Sequence, residues 1–264
     1  MRYRFLFLAI LLFACEKKED FSDVKIIAHA ASGLENQNAT FHDNSKEAIQ
    51  LSLETVGCDG VELDAQLSAS NRLWFFHDQT MDIETNSQGC LASKNDADLE
   101  AVTYKSLKKE KLLSLQNLPV NYFDKQVLML DVRHYDLCSE QTVDEMQFIK
   151  EIADFKDFYS GQIEVIILLS NPAWVEKFKE LPFKVYYSGG DFADAYQKLN
   201  AYNFDGIVIK NEYISKDEVS ALQAAGKKVI IFEVRSPKGI KSALKKHPNY
   251  LVTDDLRATI IEKY

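Results

Sequence analysis

Short runs of β-branched and aromatic residues recur along the chain, and amphipathic helical patterns separate most of them. The strand-like runs are Lys25–His29, Gly60–Asp64, Leu73–His77, Val127–Arg133, Glu164–Leu169, Lys184–Ser188, Gly206–Ile209, Lys228–Val234 and Tyr250–Thr253. Helical patterns cover Ser45–Val56, Val143–Phe155, Asp191–Ala201, Ser215–Ala225, Pro237–Lys245 and Leu256–Lys263. The helix at Ser215 opens with a capping box, Ser215-Lys216-Asp217-Glu218, and stops at Gly226. Strands alternating with helices predict parallel β/α units. Nine strand-like runs are one more than the eight staves of a closed barrel. Only a few polar residues separate Leu73–His77 from the run before it, which predicts a hairpin or short excursion there. The stretch 78–126 has little strand character and reads as an insertion, with local helix over Asp98–Lys108.

The first residues belong to a different pattern. Arg2 and Arg4 precede an unbroken apolar run, Phe5–Ala14. Ten residues are too few to span a bilayer, which takes about 20, but they suit the core of a secretory signal. The run ends in Leu12-Phe13-Ala14-Cys15, which resembles the lipobox of bacterial lipoproteins, where the peptide is cut before a Cys that then carries lipid. The alternative is a plain signal peptide with an incidental Cys. The expected organisation is a signal peptide over 1–14, lipidated Cys15 with a solvated tether over 15–24, and one domain over 25–264. Such a chain would be lipid-anchored to a bacterial membrane, facing the periplasm or the cell surface.

Composition narrows the partners. Of 264 residues, 46% are hydrophobic and 27% charged, the profile of a soluble globular domain. The 31 Lys+Arg against 40 Asp+Glu give a net charge of -9, which argues against nucleic acid as a partner. An anionic small molecule then needs a local cation or a metal ion. Beyond Cys15, the cysteines Cys58, Cys90 and Cys138 show no CxxC spacing, so a structural zinc site is not expected. An exported chain could form one disulfide among them.

The chemistry gathers at strand ends. Ile26-Ile27-Ala28-His29 delivers an imidazole. In Gly60-Val61-Glu62-Leu63-Asp64 the two carboxylates share one face of a strand. Val61 and Leu63 on the other face favour burial, and two buried carboxylates repel each other unless a cation lies between them. Leu73-Trp74-Phe75-Phe76-His77-Asp78 delivers a second imidazole. Val127 to Arg133 delivers Asp131 and Arg133. Four strands that each release polar groups at the C-terminal end match the place where β/α barrels build active sites.

These residues resemble the glycerophosphodiester phosphodiesterase family. Ala28-His29, Asp43-Asn44-Ser45, Cys58-Asp59-Gly60-Val61-Glu62-Leu63-Asp64, His77-Asp78 and Thr85-Asn86-x-x-Gly89 follow the order of its His-Arg-Gly, Glu-Asn-Thr, Glu-x-Asp and His-Asp motifs. Leu130-Asp131-Val132-Arg133 stands where the family has Glu-x-Lys, and Asn249 to Asp254 resembles its closing Thr-Asp strand. The resemblance implies a TIM-type (β/α)8 barrel with a long insertion after the second/third strand region. It implies metal-dependent hydrolysis of glycerophosphodiesters to glycerol phosphate and an alcohol. His29 and His77 would share the acid and base roles, and Glu62, Asp64 and Asp131 would hold a divalent metal. All-oxygen ligands suit Mg²⁺ or Ca²⁺. Arg133 would hold the substrate phosphate. The sequence departs from the family where His29-Ala30-Ala31 lacks the Arg that follows the first His; Lys46 or His42 could stand in for it. Asp131 is a methylene shorter than the usual Glu, as in the related phospholipase D-like enzymes of this barrel. That type of enzyme acting on intact phospholipid, and a non-catalytic barrel, are the alternative readings.

Overall fold

The structure is a computed structural model that describes residues 19–34, 39–134, 138–139, 143–155, 158 and 160–264. The leader and Cys15 lie outside the described residues. Ten strands follow in chain order: β1 (Lys25–Ala28), β2 (Gly60–Leu67), β3 (Leu73–Phe75), β4 (Leu113–Ser114), β5 (Val127–Val132), β6 (Glu164–Leu169), β7 (Lys184–Ser188), β8 (Gly206–Lys210), β9 (Lys228–Val234) and β10 (Tyr250–Thr253). Parallel pairing runs β1-β10-β9-β8-β7-β6-β5-β2 and closes between β2 and β1. The result is the eight-stranded TIM-type barrel that the resemblance implied. β3 is antiparallel to β2, with Ala65 opposite Phe75, so the surplus run is an excursion and not a stave.

Alternation along each strand sorts the side chains into two layers. Leu63, Leu128, Leu130, Ile167, Val185, Ile207, Ile231 and Leu251 face the surrounding helices and are buried. Ile27, Val127, Met129, Ile166, Tyr186, Val208, Ile230 and Val252 fill the barrel interior. Each such aliphatic side chain stabilises the fold by about 2 kcal/mol through loss of contact with water. At Gly60 the strands approach so closely that a Cβ would lie 2.3 Å from the Val127 carbonyl oxygen. The apolar plug fills the lower barrel, and polar side chains above it face the C-terminal mouth.

The helices are α1 (Lys46–Gln50), α2 (Asp96–Glu100), α3 (Glu145–Asp154), α4 (Val175–Phe178), α5 (Phe192–Ala201), α6 (Lys216–Ala224), α7 (Pro237–Leu244) and α8 (Leu256–Lys263). The capping box at Ser215 is formed as expected. The helix expected over Ser45–Val56 is α1 followed by a wider turn over Leu51–Val56, where the Ser52 hydroxyl donates to the Ala31 carbonyl and ties the helix to the loop after β1. The helix expected over Asp98–Lys108 is corrected to the single turn of α2. Beyond it Tyr104 pairs with Thr85 and Thr103 with Lys111, in extended backbone. This insertion has a core of its own, including Trp74, Phe76, Met81, Leu99 and Tyr104. A disulfide between Cys90 and Cys138 fastens it to the segment after β5, while Cys58 is free and buried. Phe21 and Val24 are already packed into the barrel base, ahead of β1.

Candidate active site

Strand register assembles the acids. Glu62 and Asp64 point inward from β2, and Asp64 lies directly opposite Asp131 of β5. One carboxylate oxygen from each of Glu62, Asp64 and Asp131 falls within 4.8 Å of the others. Glu62 and Asp64 are almost sealed from solvent, with side chains 5% and 2% exposed. The backbone N–H of Ala30 donates to Glu62 Oε2 at 2.9 Å, and the Asn44 side-chain amide donates to Asp64 Oδ2 at 2.9 Å. Arg133 donates to Asp64 Oδ1 at 2.5 Å and lies 3.3 Å from Asp131 Oδ2.

His29 follows the last residue of β1, and its neighbour across the barrel seam is the residue after β10. Its Nδ1 lies 2.7 Å from Asp254 Oδ1, which leaves Nε2 facing the acids, 3.8 Å from Glu62 Oε2. His77 enters from the end of β3 with Nδ1 2.9 Å from Asp78 Oδ1, within electrostatic reach of both Asp64 and Asp131. All six residues singled out from the strand ends therefore serve one mouth: His29, His77, Glu62, Asp64, Asp131 and Arg133.

Their titration reflects crowding. Burial and the adjacent Asp64 charge push Glu62 up to about 8. Burial raises Asp131 as well. Burial acts the same way on Asp64, but the Arg133 guanidinium holds its carboxyl below the ordinary value. For His29, burial opposes protonation, and the hydrogen bond to Asp254 with the charges of Glu62, Asp254 and Asp64 overcomes it, lifting the imidazole to about 9. Three carboxylates share one guanidinium, which meets two of them and leaves Glu62 outside ion-pair distance. Three convergent carboxylates form an all-oxygen donor set that fits a hard divalent cation of the Mg²⁺ or Ca²⁺ type.

Three further residues support the site. Asp254 orients His29 and also meets Arg235 Nε at 3.2 Å. Asn44 is held at φ 52, its N–H on the Ala30 carbonyl and its side chain on Asp64. Arg235, just beyond β9, brings a half-exposed guanidinium to the rim. Among the groups considered as stand-ins for the absent Arg, Lys46 is exposed on α1 and His42 is turned to Asp43 and Glu84. The turn after His29 keeps Ala30 and Ala31 at φ 44 and 66, a left-handed conformation that costs about 1 kcal/mol or more per alanine. The strain aims the Ala30 N–H at Glu62.

Residues 33–258 match the glycerophosphoryl diester phosphodiesterase family. The chain belongs to this family. Among solved structures, a phosphodiesterase from Oleispira antarctica, in complex with the product sn-glycerol-3-phosphate, is 20% identical with a TM-score of 0.74, covering 90% of this chain and 96% of that one. A glycerophosphodiester phosphodiesterase from Agrobacterium tumefaciens is 16% identical with a TM-score of 0.70, covering 89% and 99%. One from Parabacteroides distasonis is 17% identical with a TM-score of 0.69, covering 90% and 96%. At these identities the structural likeness shows the shared barrel. No curated protein sequence matches the chain.

Proposed function

We propose that this hydrolase of the family cleaves glycerophosphodiesters to glycerol phosphate and an alcohol, with a divalent cation held by Glu62, Asp64 and Asp131. The observation that carries the reading is the convergence of these three carboxylates with His29 within one buried mouth. A bound cation would stabilise negative charge developing on the phosphate. His29, held through Nδ1 by Asp254, presents Nε2 to the mouth, so it is placed to give a proton to the leaving alcohol oxygen. His77, oriented by Asp78, is placed to take the proton of the attacking glycerol hydroxyl. That attack forms a bond to phosphorus, expels the alcohol and leaves a cyclic phosphate, which water then opens with the two histidines exchanging roles. Arg133, held over Asp64 and Asp131, presents its remaining donors to a phosphate oxygen, and Arg235 at the rim adds a second positive charge. Together they take the part of the Arg missing after His29.

The leader supports a second proposal, that Cys15 is lipidated and the barrel hangs from a bacterial membrane. For the chemistry, the test is ³¹P NMR of glycerophosphocholine and glycerophosphoethanolamine incubated with the purified domain and Mg²⁺ or Ca²⁺. Conversion to a glycerol phosphomonoester is expected. No conversion, or cleavage of intact phospholipid only, would overturn the reading.

A further inference from the structure

Beside the mouth lies a second constellation that the proposed reaction does not use. His42 and Asp43 precede α1, and Glu84 comes from the insertion, so two separate parts of the chain meet here. One ligand atom from each of His42, Asp43 and Glu84 lies within 4.8 Å of the other two. They line an open cleft of about 470 Å³ to which Ser106 and Leu107 also contribute.

The hydrogen-bond account of this cluster does not close. His42 Nδ1 faces its own neighbour, 3.1 Å from Asp43 Oδ1 and 3.3 Å from the Asp43 carbonyl oxygen. Donation from Nδ1 to the Asp43 carbonyl oxygen turns Nε2 toward Glu84, and an imidazole so oriented can bind a metal through Nε2 once that nitrogen is deprotonated. Nε2 is 3.9 Å from Glu84 Oε2, beyond hydrogen-bond reach but a separation that two ligands of one ion can adopt. Asp43 is 8% exposed, and its Oδ1 accepts no hydrogen bond of acceptable geometry. Tyr104 stacks on the His42 ring, centroids 3.7 Å apart and planes 13° apart, and is 1% exposed. Its hydroxyl also has no partner, and the charges acting on it most strongly are those of Asp43 and Glu84. Asp43 Oδ1 and the Tyr104 hydroxyl, both buried and without a hydrogen bond, stand with Glu84 and the His42 imidazole in one cluster whose polar atoms a cation would engage.

We propose that His42, Asp43 and Glu84 form a second cation site, for a divalent transition ion of the zinc or cobalt type. One imidazole and two carboxylates suit such an ion better than Mg²⁺, which the all-oxygen site favours. The two sites are joined through the chain: Asp43 belongs to one, and the side chain of the next residue, Asn44, grips Asp64 of the other. The stacked Tyr104 ring fixes the imidazole plane. The cleft supplies the route of entry.

The test is ion stoichiometry, which does not depend on turnover. Full-length mature protein, stripped with EDTA, is dialysed against Co²⁺ and read by elemental analysis and visible absorption. About two ions per chain are expected for the wild type, and about one each for Glu84→Gln and for Asp64→Asn. His42→Gln keeps a polar group under Tyr104 and should weaken the second site at least tenfold while leaving the thermal transition in place. A wild type that binds one ion, lost in Asp64→Asn and retained in both Glu84→Gln and His42→Gln, overturns the proposal. One ion lost in Glu84→Gln but retained in Asp64→Asn supports this site and counts against the first.

Discussion

Replacing Asp254 by Asn removes the charge that holds His29 without removing the acceptor its Nδ1–H needs. The contact is 2.7 Å, and the Asp254 side chain is 7% exposed, so solvent does little to screen it. His29 is lifted from 6.5 to about 9, and among the upward influences the hydrogen bond to Asp254 stands first. Assigning Asp254 at least one pKa unit gives about 1.4 kcal/mol of preference for the imidazolium. The sign follows from linkage: a raised folded pKa stabilises the native state fully below about pH 6.5, and the contribution fades as pH rises through about 9. Urea denaturation of metal-free wild type and Asp254→Asn between pH 6 and pH 10 reads this directly. The variant should be less stable at pH 6, and the gap should narrow by about 1.4 kcal/mol by pH 10. In NMR the His29 titration should move down by about one pH unit in the variant. A stability gap that is flat with pH, or a His29 titration that does not move, would refute the role given to Asp254.

Other expectations are as direct. Asp64→Ala should abolish cation binding at the three-carboxylate site and hydrolysis together while near-native circular dichroism is kept, since Arg133 still has Asp131 beside it. His29→Ala and His77→Ala should each lower kcat on the order of a hundredfold or more in an assay of phosphodiester hydrolysis. Reduction of Cys90–Cys138, or Cys138→Ser, should destabilise the insertion; the closed loop separates residues 48 apart, which corresponds to about 4 kcal/mol as an upper figure, measured by chemical denaturation. Cys15→Ser should move the expressed chain from the membrane to the soluble fraction, and a wild type already soluble with its leader intact would contradict lipidation.

The alternation of Val61 and Leu63 with Glu62 and Asp64 made the inward face of β2 readable, because a strand's period of two is local. The same locality exposed His29, His77, Asp131 and Arg133 as strand-end residues. What joins strands was not readable that way. Asp64 meets Asp131 through inter-strand register, and His29 meets Asp254 only because the barrel closes β1 onto β10, across 225 positions. The Thr253-Asp254 pair was visible as a motif without its partner. Asn44 grips Asp64 from a turn with positive φ, which no periodicity announces. The helix expected over Asp98–Lys108 shrinks to the single turn of α2. Thr103 and Tyr104 instead pair with neighbouring segments, and tertiary pairing outweighed local pattern. The short α4 escaped notice because Pro172 and Pro182 bracket only a few helical residues.

The central claim is cation-assisted cleavage at Glu62, Asp64 and Asp131, and its most direct measurement is reversible loss of glycerophosphodiester hydrolysis. The purified domain is assayed for glycerol phosphate release, treated with EDTA, dialysed, and assayed again with and without Mg²⁺ or Ca²⁺. Activity should vanish on chelation, return with the ion, and fail to return in Asp64→Asn. Hydrolysis that survives chelation unchanged, or that Asp64→Asn recovers as fully as the wild type, would contradict it.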